Sequence, residues 1–238
     1  MAEIRLRRQE EVAAGTSAFY FDKPEGFSFE AGQNALFTLI DPPENDAEGP
    51  SRPFTFASAP HEPELMIATR MRDTAFKRTL KAASPGLRLE MEGPSGVMVL
   101  HQETERPAVF LAGGIGITPF LSMARHAAKH ALSHRVFLFY SNRRPEDAAF
   151  LDELQGLQRI NPNYRLIATM AEPEKSSVPW KGETGFIRRD MLERHLPDLL
   201  SPVYYFAGPP AMAMGMQSML QELGVSENDM RSEEFYGY

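Results

Sequence analysis

Near residue 104 the hydrophobic rhythm of this chain changes, and the change restricts the folds open to it. Before that point the segments IRLRRQEEV, SAFYFDKP, NALFTLI, RPFTFAS, ELMIATRM and LRLEMEG are separated by Gly- and Pro-containing breaks. That is the pattern of short antiparallel strands in a barrel or sandwich. One helical insert, TAFKRTLKAA, is opened by Asp73 and Thr74 and stopped at Ser84-Pro85-Gly86. After it, the apolar run AVFLAGG leads into ITPFLSMARHAAKHAL, and the strand-like RVFLFYSN, YRLIATM and VYYFAG alternate with helical stretches. Such alternation builds a parallel sheet wrapped by helices. A length of 238 residues accommodates two ordinary domains or one large one. The change of rhythm puts a boundary at residues 101–106. The expected architecture has two domains: an antiparallel Greek-key β-barrel with one helix over 1–103, and a Rossmann-like α/β parallel sheet over 104–238.

Charge and composition narrow the function. A net charge of -7 disfavours a general binder of nucleic acid or anionic membrane, which needs a basic field. Without cysteine the 238 residues have no disulfide, no thiolate nucleophile and no Cys-ligated zinc or iron–sulfur centre. No apolar run approaches the ~20 residues of a membrane span, and MAEIRLRRQEE lacks the apolar segment of a secretory signal. A cytoplasmic protein is expected, and a monomer.

Three stretches carry chemistry. In SRPFTFASAP, Phe54 and Phe56 alternate with Thr55 and Ala57 as in a half-buried strand, which by itself leaves Arg52 a solvated charge at a strand edge. In FLAGGIGITPF, Gly113, Gly114 and Gly116 fall between a strand and a helix. There backbone N–H groups and the helix terminus suit a phosphate, although a tight turn explains the glycines too. Thr118 is expected as the N-cap and Pro119 in the first turn. The third stretch, YYFAGPPAMAMGM, repeats this logic with Gly208, Pro209 and Pro210. Of its methionines, Met216 and Met219 read as core, and only Met212 is near enough to the turn to reach a ligand.

In this order the motifs resemble the ferredoxin–NADP reductase superfamily along nearly the whole chain. The RPFT stretch takes the place of that family's Arg-x-Tyr-Ser/Thr strand. The resemblance implies that Arg52 pairs with the pyrophosphate of FAD, that Pro53 and Phe54 lie against the flavin, and that Thr55 hydrogen-bonds near the flavin N5. It places Ala68 and Thr69 along the cofactor, and Thr74, Phe76 and Lys77 toward the pyrophosphate. The EGPSG turn, residues 92–96, would approach the nicotinamide domain. NAD(P)H would use Gly113, Gly114, Gly116, Thr118, Pro119, Asn142, Arg143, Gly208, Pro209, Pro210 and Met212. The C-terminal EEFYGY supplies a flavin cover from Phe235 or Tyr238 and a polar contact from Glu234, so that Thr55 and Glu234 are the expected catalytic pair.

The implied activity is hydride transfer from NAD(P)H to FAD, followed by electron transfer to a separate acceptor such as ferredoxin, flavodoxin or an oxygenase component. A flavin reductase using free flavin and a non-catalytic nucleotide-binding subunit are the alternatives. Ala207 stands where many relatives carry Cys, and Met170 where NADP-using relatives often carry Arg; Arg143 and Arg144 are the remaining candidates for a 2′-phosphate, and the balance favours NADH. His126, His130 and His134 recur every four residues but are read as a solvated helix face, and no metal is expected.

Overall fold

The computed structural model describes residues 1–235 and contains two six-stranded sheets. The first is formed by β1 (Ala2–Ala13), β2 (Thr16–Asp22), β3 (Asn34–Leu39), β4 (Ser51–Thr55), β5 (Glu64–Arg70) and β6 (Arg88–Ser95), in the order β4-β3-β6-β1-β2-β5. Every pairing in it is antiparallel. The chain just beyond β4 draws the two edges together. Phe56 N donates to Gln33 O at 2.9 Å beside β3, and Ala57 N donates to Met66 O of β5 at 2.7 Å. The enclosed space is filled largely by phenylalanines: Phe21 and Phe56 each pack on Phe37, and Phe54 lies between Phe37 and Phe76. Phe76 belongs to the helix α1 (Ala75–Ala82), whose N-cap is Thr74; the Thr74 hydroxyl accepts from Lys77 N at 3.3 Å.

The second sheet contains β7 (Ala108–Gly113), β8 (Val136–Asn142), β9 (Tyr164–Met170), β10 (Glu183–Thr184), β11 (Val203–Gly208) and β12 (Met230–Glu234). Its order is β10-β9-β8-β7-β11-β12 and all pairs are parallel. Helices α2 (Thr118–Lys129), α3 (Leu151–Ile160), α4 (Arg189–His195) and α5 (Pro210–Glu222) cover it. β7 and β11 are buried throughout, as strands covered on both faces must be. No helix among the described residues is long and apolar enough to cross a membrane.

One local expectation is corrected. Thr118 is not an N-cap: a 3-10 turn over Gly114–Ile117 precedes α2, so Thr118 is already helical and its hydroxyl donates to Ile115 O at 3.2 Å. The EEFYGY terminus begins within the edge strand β12, because Met230 to Glu234 stay in parallel register with Tyr204 to Gly208 of β11.

The 3-10 turn brings Gly116 against β11. A Cβ on Gly116 would lie 2.2 Å from Ala207 O and 2.7 Å from Gly208 N, both backbone atoms that cannot turn aside. Gly116→Ala is therefore expected to lower stability by about 1–3 kcal/mol through overpacking. A denaturant midpoint matching that of the parent would show that the contact relaxes freely.

Candidate functional site

The site lies where the carboxyl ends of β11 and β12 meet the barrel strands β3 and β4. Glu233 is in register with Ala207 on the parallel sheet, yet its hydrogen bonds go to the other sheet. Its Oε1 accepts from Asn34 Nδ2 at 2.9 Å and its Oε2 from Thr55 Oγ1 at 3.4 Å. Asn34 and Thr55 are themselves register partners, and Ser95 Oγ donates to Asn34 Oδ1 at 2.7 Å. Ser95 belongs to the 92–96 turn expected to approach the second domain, and through Asn34 it is linked to Glu233.

The carboxylate beside Thr55 is Glu233, the neighbour of the Glu234 expected to make the polar contact to the coenzyme. Strand alternation explains the difference: in β12 Arg231 and Glu233 share one side, while Ser232 and Glu234 share the other and are exposed. Reading MRSEEF as a strand would have selected Glu233. Nothing in the sequence marked Asn34 or Ser95. Phe235 is part-buried, and its N–H donates to Gly208 O at 3.1 Å. Tyr238 lies outside the described residues.

A second constellation surrounds Arg52. Its side chain is only 15% exposed. One guanidinium nitrogen donates to the carbonyls of Glu48, Gly49 and Ser51, and the other reaches Glu48 Oε2 at 2.7 Å and Asp46 Oδ1 at 3.5 Å. Asp46 Oδ2 also accepts from Ala75 N, the first residue of α1, at 2.8 Å. These contacts and the Glu44–Arg78 ion pair dock the 41–50 loop, which composition presents as a surface excursion, onto the start of α1. Lys77 completes the group: burial, with help from neighbouring Arg72 and Arg52, pushes its ammonium down to about 8. Asp46 is thus held by an arginine and the first backbone N–H of α1, with Lys77 close to Arg52 and Glu48. This donor set fits a diphosphate. Phe54, by contrast, is partly packed into the aromatic core, Phe76 is fully within it, and Ala68 and Thr69 are buried in β5.

The glycine turns form the third part. Gly114 has φ +54, and a Cβ there would meet nothing within 4 Å, so the turn needs glycine for its backbone and is open above. Gly113 and Gly208 differ: Met212 Sδ would lie 2.2 Å from a Cβ on the first and 3.1 Å from one on the second. Met212 covers the junction of the two turns, and Gly208 is small at least partly because β7 and β11 approach there. Pro209 is the N-cap of α5 and Pro210 begins it; Pro119 is buried in the first turn of α2. At the carboxyl end of β8, Asn142 is buried and its Nδ2 has no hydrogen-bond partner. It tempers the upward shift that burial gives the Tyr140 phenol without reaching bonding geometry. A buried unpaired donor beside a phosphate-type turn fits a polar coenzyme. Arg143 is exposed, whereas Arg144 is tied to Asp147 and Glu146.

Residues 110–218 match the oxidoreductase NAD-binding domain family. The chain is 28% identical to the glycine betaine monooxygenase reductase subunit of Chromohalobacter salexigens over 95% of its own length and 61% of that protein's. It is 32% identical to one component of the Na(+)-translocating NADH-quinone reductase of Klebsiella pneumoniae, over 91% of this chain and 56% of the relative. Its fold superposes with a TM-score of 0.81 on a ferredoxin NADP+ reductase from Neisseria gonorrhoeae with bound FAD and NADP, at 19% identity and 98% coverage of both chains. The chain carries an oxidoreductase NAD-binding domain, and its fold is that of the ferredoxin–NADP reductase superfamily. FAD and NAD(P) are the cofactors of that superfamily, whose members are NAD(P)H-dependent flavoprotein oxidoreductases. The chain spans less than two thirds of the length of either curated relative.

Within this fold Glu233 is the group whose charge is perturbed at the seam. Burial raises its carboxyl above the ordinary glutamate range, partly offset by the donations from Asn34 and Thr55. An acid with a raised native pKa leaves the native state holding more protons than the unfolded chain between the two pKa values, so stability falls as pH rises through that interval. Glu233→Gln is expected to be more stable than the parent at pH 7 and to lose that advantage as the pH falls toward about 4.3, the unperturbed glutamate value. Thermal midpoints of both proteins measured against pH check this. Parallel curves would mean that Glu233 titrates as it does in the unfolded chain.

Proposed function

We propose that this chain is an FAD-dependent NAD(P)H reductase that passes electrons to a separate redox acceptor. The observation that carries this reading is Thr55. It sits on the same strand as the Arg52 anion site, and through Glu233 it meets the carboxyl ends of β11 and β12. Open parallel sheets bind nucleotides at those ends.

Arg52, the start of α1 and Lys77 would hold the FAD diphosphate; Asn142 and the turn at Gly114 would hold the coenzyme. FAD supplies the conversion between hydride transfer and single-electron transfer. Thr55 offers a small hydroxyl at the seam. Glu233, bonded to Asn34 and Thr55, keeps β12 and the barrel in one register, which fixes how closely the two cofactor sites approach. Met212 and Phe235 are part-buried apolar groups at the same edge, where they exclude water. No general acid or base is needed for hydride transfer itself.

The relatives' names supply candidate acceptors. One is the reductase subunit of a monooxygenase and another is a component of a quinone reductase, which supports an oxygenase component as the partner. One observation favours the second reading, a reductase of exchangeable flavin. Asp46 and Glu48 already engage Arg52, so flavin binds only as these carboxylates yield. Assays with NADH and NADPH against ferricyanide, ferredoxin, flavodoxin and free flavin separate the two; turnover with no acceptor would leave a non-catalytic nucleotide-binding subunit.

The same competition gives opposite signs for two substitutions. Loss of the charge-assisted contact in Arg52→Ala is expected to weaken FAD binding by at least about tenfold. Asp46→Ala is expected to tighten it, because a competing anion is removed, while the apo protein melts lower through loss of the hydrogen bond to Ala75 N. Flavin titration and thermal melts measure both effects. Weaker FAD binding in Asp46→Ala would make Asp46 a support of the site and not its competitor.

A further inference from the structure

The helical histidines do not line up as their four-residue spacing suggests. His134 lies beyond α2 and is buried against His101, with its Nε2 2.8 Å from His101 O. His126 and His130 remain on the C-terminal turn of α2, and a third histidine comes to them from the other half of the molecule. His61, in the loop between β4 and β5, places its ring centroid 5.6 Å from His130 and 6.3 Å from His126, and the two helical rings are 4.4 Å apart. Each ring offers one nitrogen to the group, and the three nitrogens all lie within 4.8 Å of one another.

We propose that His61, His126 and His130 form a binding site for a divalent transition metal of the zinc class, and that the metal ties the barrel loop to α2. Zinc is held by imidazole nitrogens at about 2.0–2.1 Å in tetrahedral sites. The nitrogens must therefore draw together from their present spacing to about 3.4 Å, the edge of a tetrahedron of that radius. Side-chain torsions alone can supply that movement, because the backbone beneath the rings is already fixed. Ser122 Oγ donates to Ser58 O at 2.7 Å, one turn before His126, and both groups are buried. Arg125 donates to Ala57 O at 3.2 Å and pairs with Glu62, which follows His61 directly. The loop and the helix are thus pinned on both sides of His61.

Three further features suit a metal. His126 and His130 stand four residues apart on one helix face, the spacing with which helices present two imidazoles to one ion. The Nδ1 of His126 is buried with no hydrogen-bond partner, so no protein group competes for it. His61 and His130 are exposed, giving the ion an entry path and leaving room for water as the fourth ligand. The charges are mixed. Arg125 is neutralised by Glu62 and Glu153, while Lys129 is an opposing cation near His61. The imidazole set favours zinc, nickel and copper over magnesium or calcium. The site lies about 12–18 Å along α2 from Thr118 beside the glycine turn, at a rise of 1.5 Å per residue. Its role is accordingly to join the two halves and not to take part in hydride transfer.

The test uses the full chain without a polyhistidine tag, after chelation and dialysis. Zinc is titrated calorimetrically, and cobalt(II) is added separately as a visible-absorption probe of tetrahedral coordination. One ion per chain is expected. His61→Ala and His130→Ala, both changes at exposed side chains, should each weaken zinc binding at least tenfold, and zinc should raise the thermal midpoint of the parent but not of either variant. Absence of saturable binding at one ion per chain, or affinity undiminished in both variants, would overturn the site. Binding lost in the variants together with a parent midpoint unmoved by zinc would overturn the clamp.

Discussion

Glu233 is covalently part of the parallel sheet and hydrogen-bonded to the antiparallel one. A part-buried carboxylate costs free energy unless donors surround it. The donors here come from residues 34 and 55, almost two hundred positions earlier in the chain. The contact therefore does more than stabilise: it sets the register between two sheets that share no strand. Asn34 and Thr55 face each other across β3 and β4, and Ser95 on the next strand orients the Asn34 amide. A shift of β12 by one residue would replace Glu233 with a side chain facing away, so the parallel pairing of Met230 through Glu234 with β11 and the polar contacts to the barrel require one another.

The anion site around Arg52 shows a different economy. Its cations are fixed by the fold before any ligand arrives, since Arg52 lies over Phe76 and beside the aromatic core, and Lys77 sits on the first turn of the same helix. Buried cations need counter-charge, and the 41–50 loop provides it with Asp46 and Glu48. Preorganisation for a diphosphate and partial self-occupancy follow from one set of charges. Under the proposed function the acidic loop competes with the flavin diphosphate for Arg52, and the strength of that competition sets whether flavin is resident or exchangeable.

Much of this was legible in the amino-acid order because hydrophobic periodicity and glycine placement are local signals. The change at residue 104, the strand-to-helix turns at Gly113 and Gly208, and the N-cap at Thr74 each depend on a few adjacent residues. What was not legible depends on pairing. Glu233 and Glu234 are adjacent and chemically alike, and only the registration of β12 on β11 decides which faces Thr55. Asn34 reads as the start of a strand and Ser95 as a turn residue, and nothing links them until β3 and β6 are placed side by side. Asp46 reads as one acid among several in a Pro-rich loop, because nothing nearby shows that the loop reaches α1. Gly208 has a further reason to be small that only pairing reveals: a Cβ there would stand 3.1 Å from Met212 Sδ and 3.2 Å from Gly113 Cα.

Helix α2 brings these separate parts into one mechanical unit. Its start follows the 3-10 turn that packs Gly116 on Ala207, the register partner of Glu233. Its middle holds the barrel through Ser122 and Arg125, whose contacts go to backbone carbonyls at Ser58 and Ala57. Carbonyls of a loop are better anchors than side chains here, because they leave fewer rotatable bonds between helix and barrel. Those same residues continue from Thr55 on β4, so a displacement of α2 along its axis would be felt at both the glycine turn and the seam threonine. The histidine cluster sits at the far end of this helix. A clamp placed there acts at the longest distance from the nucleotide turns, where a small restraint on the loop most limits rotation of one half against the other.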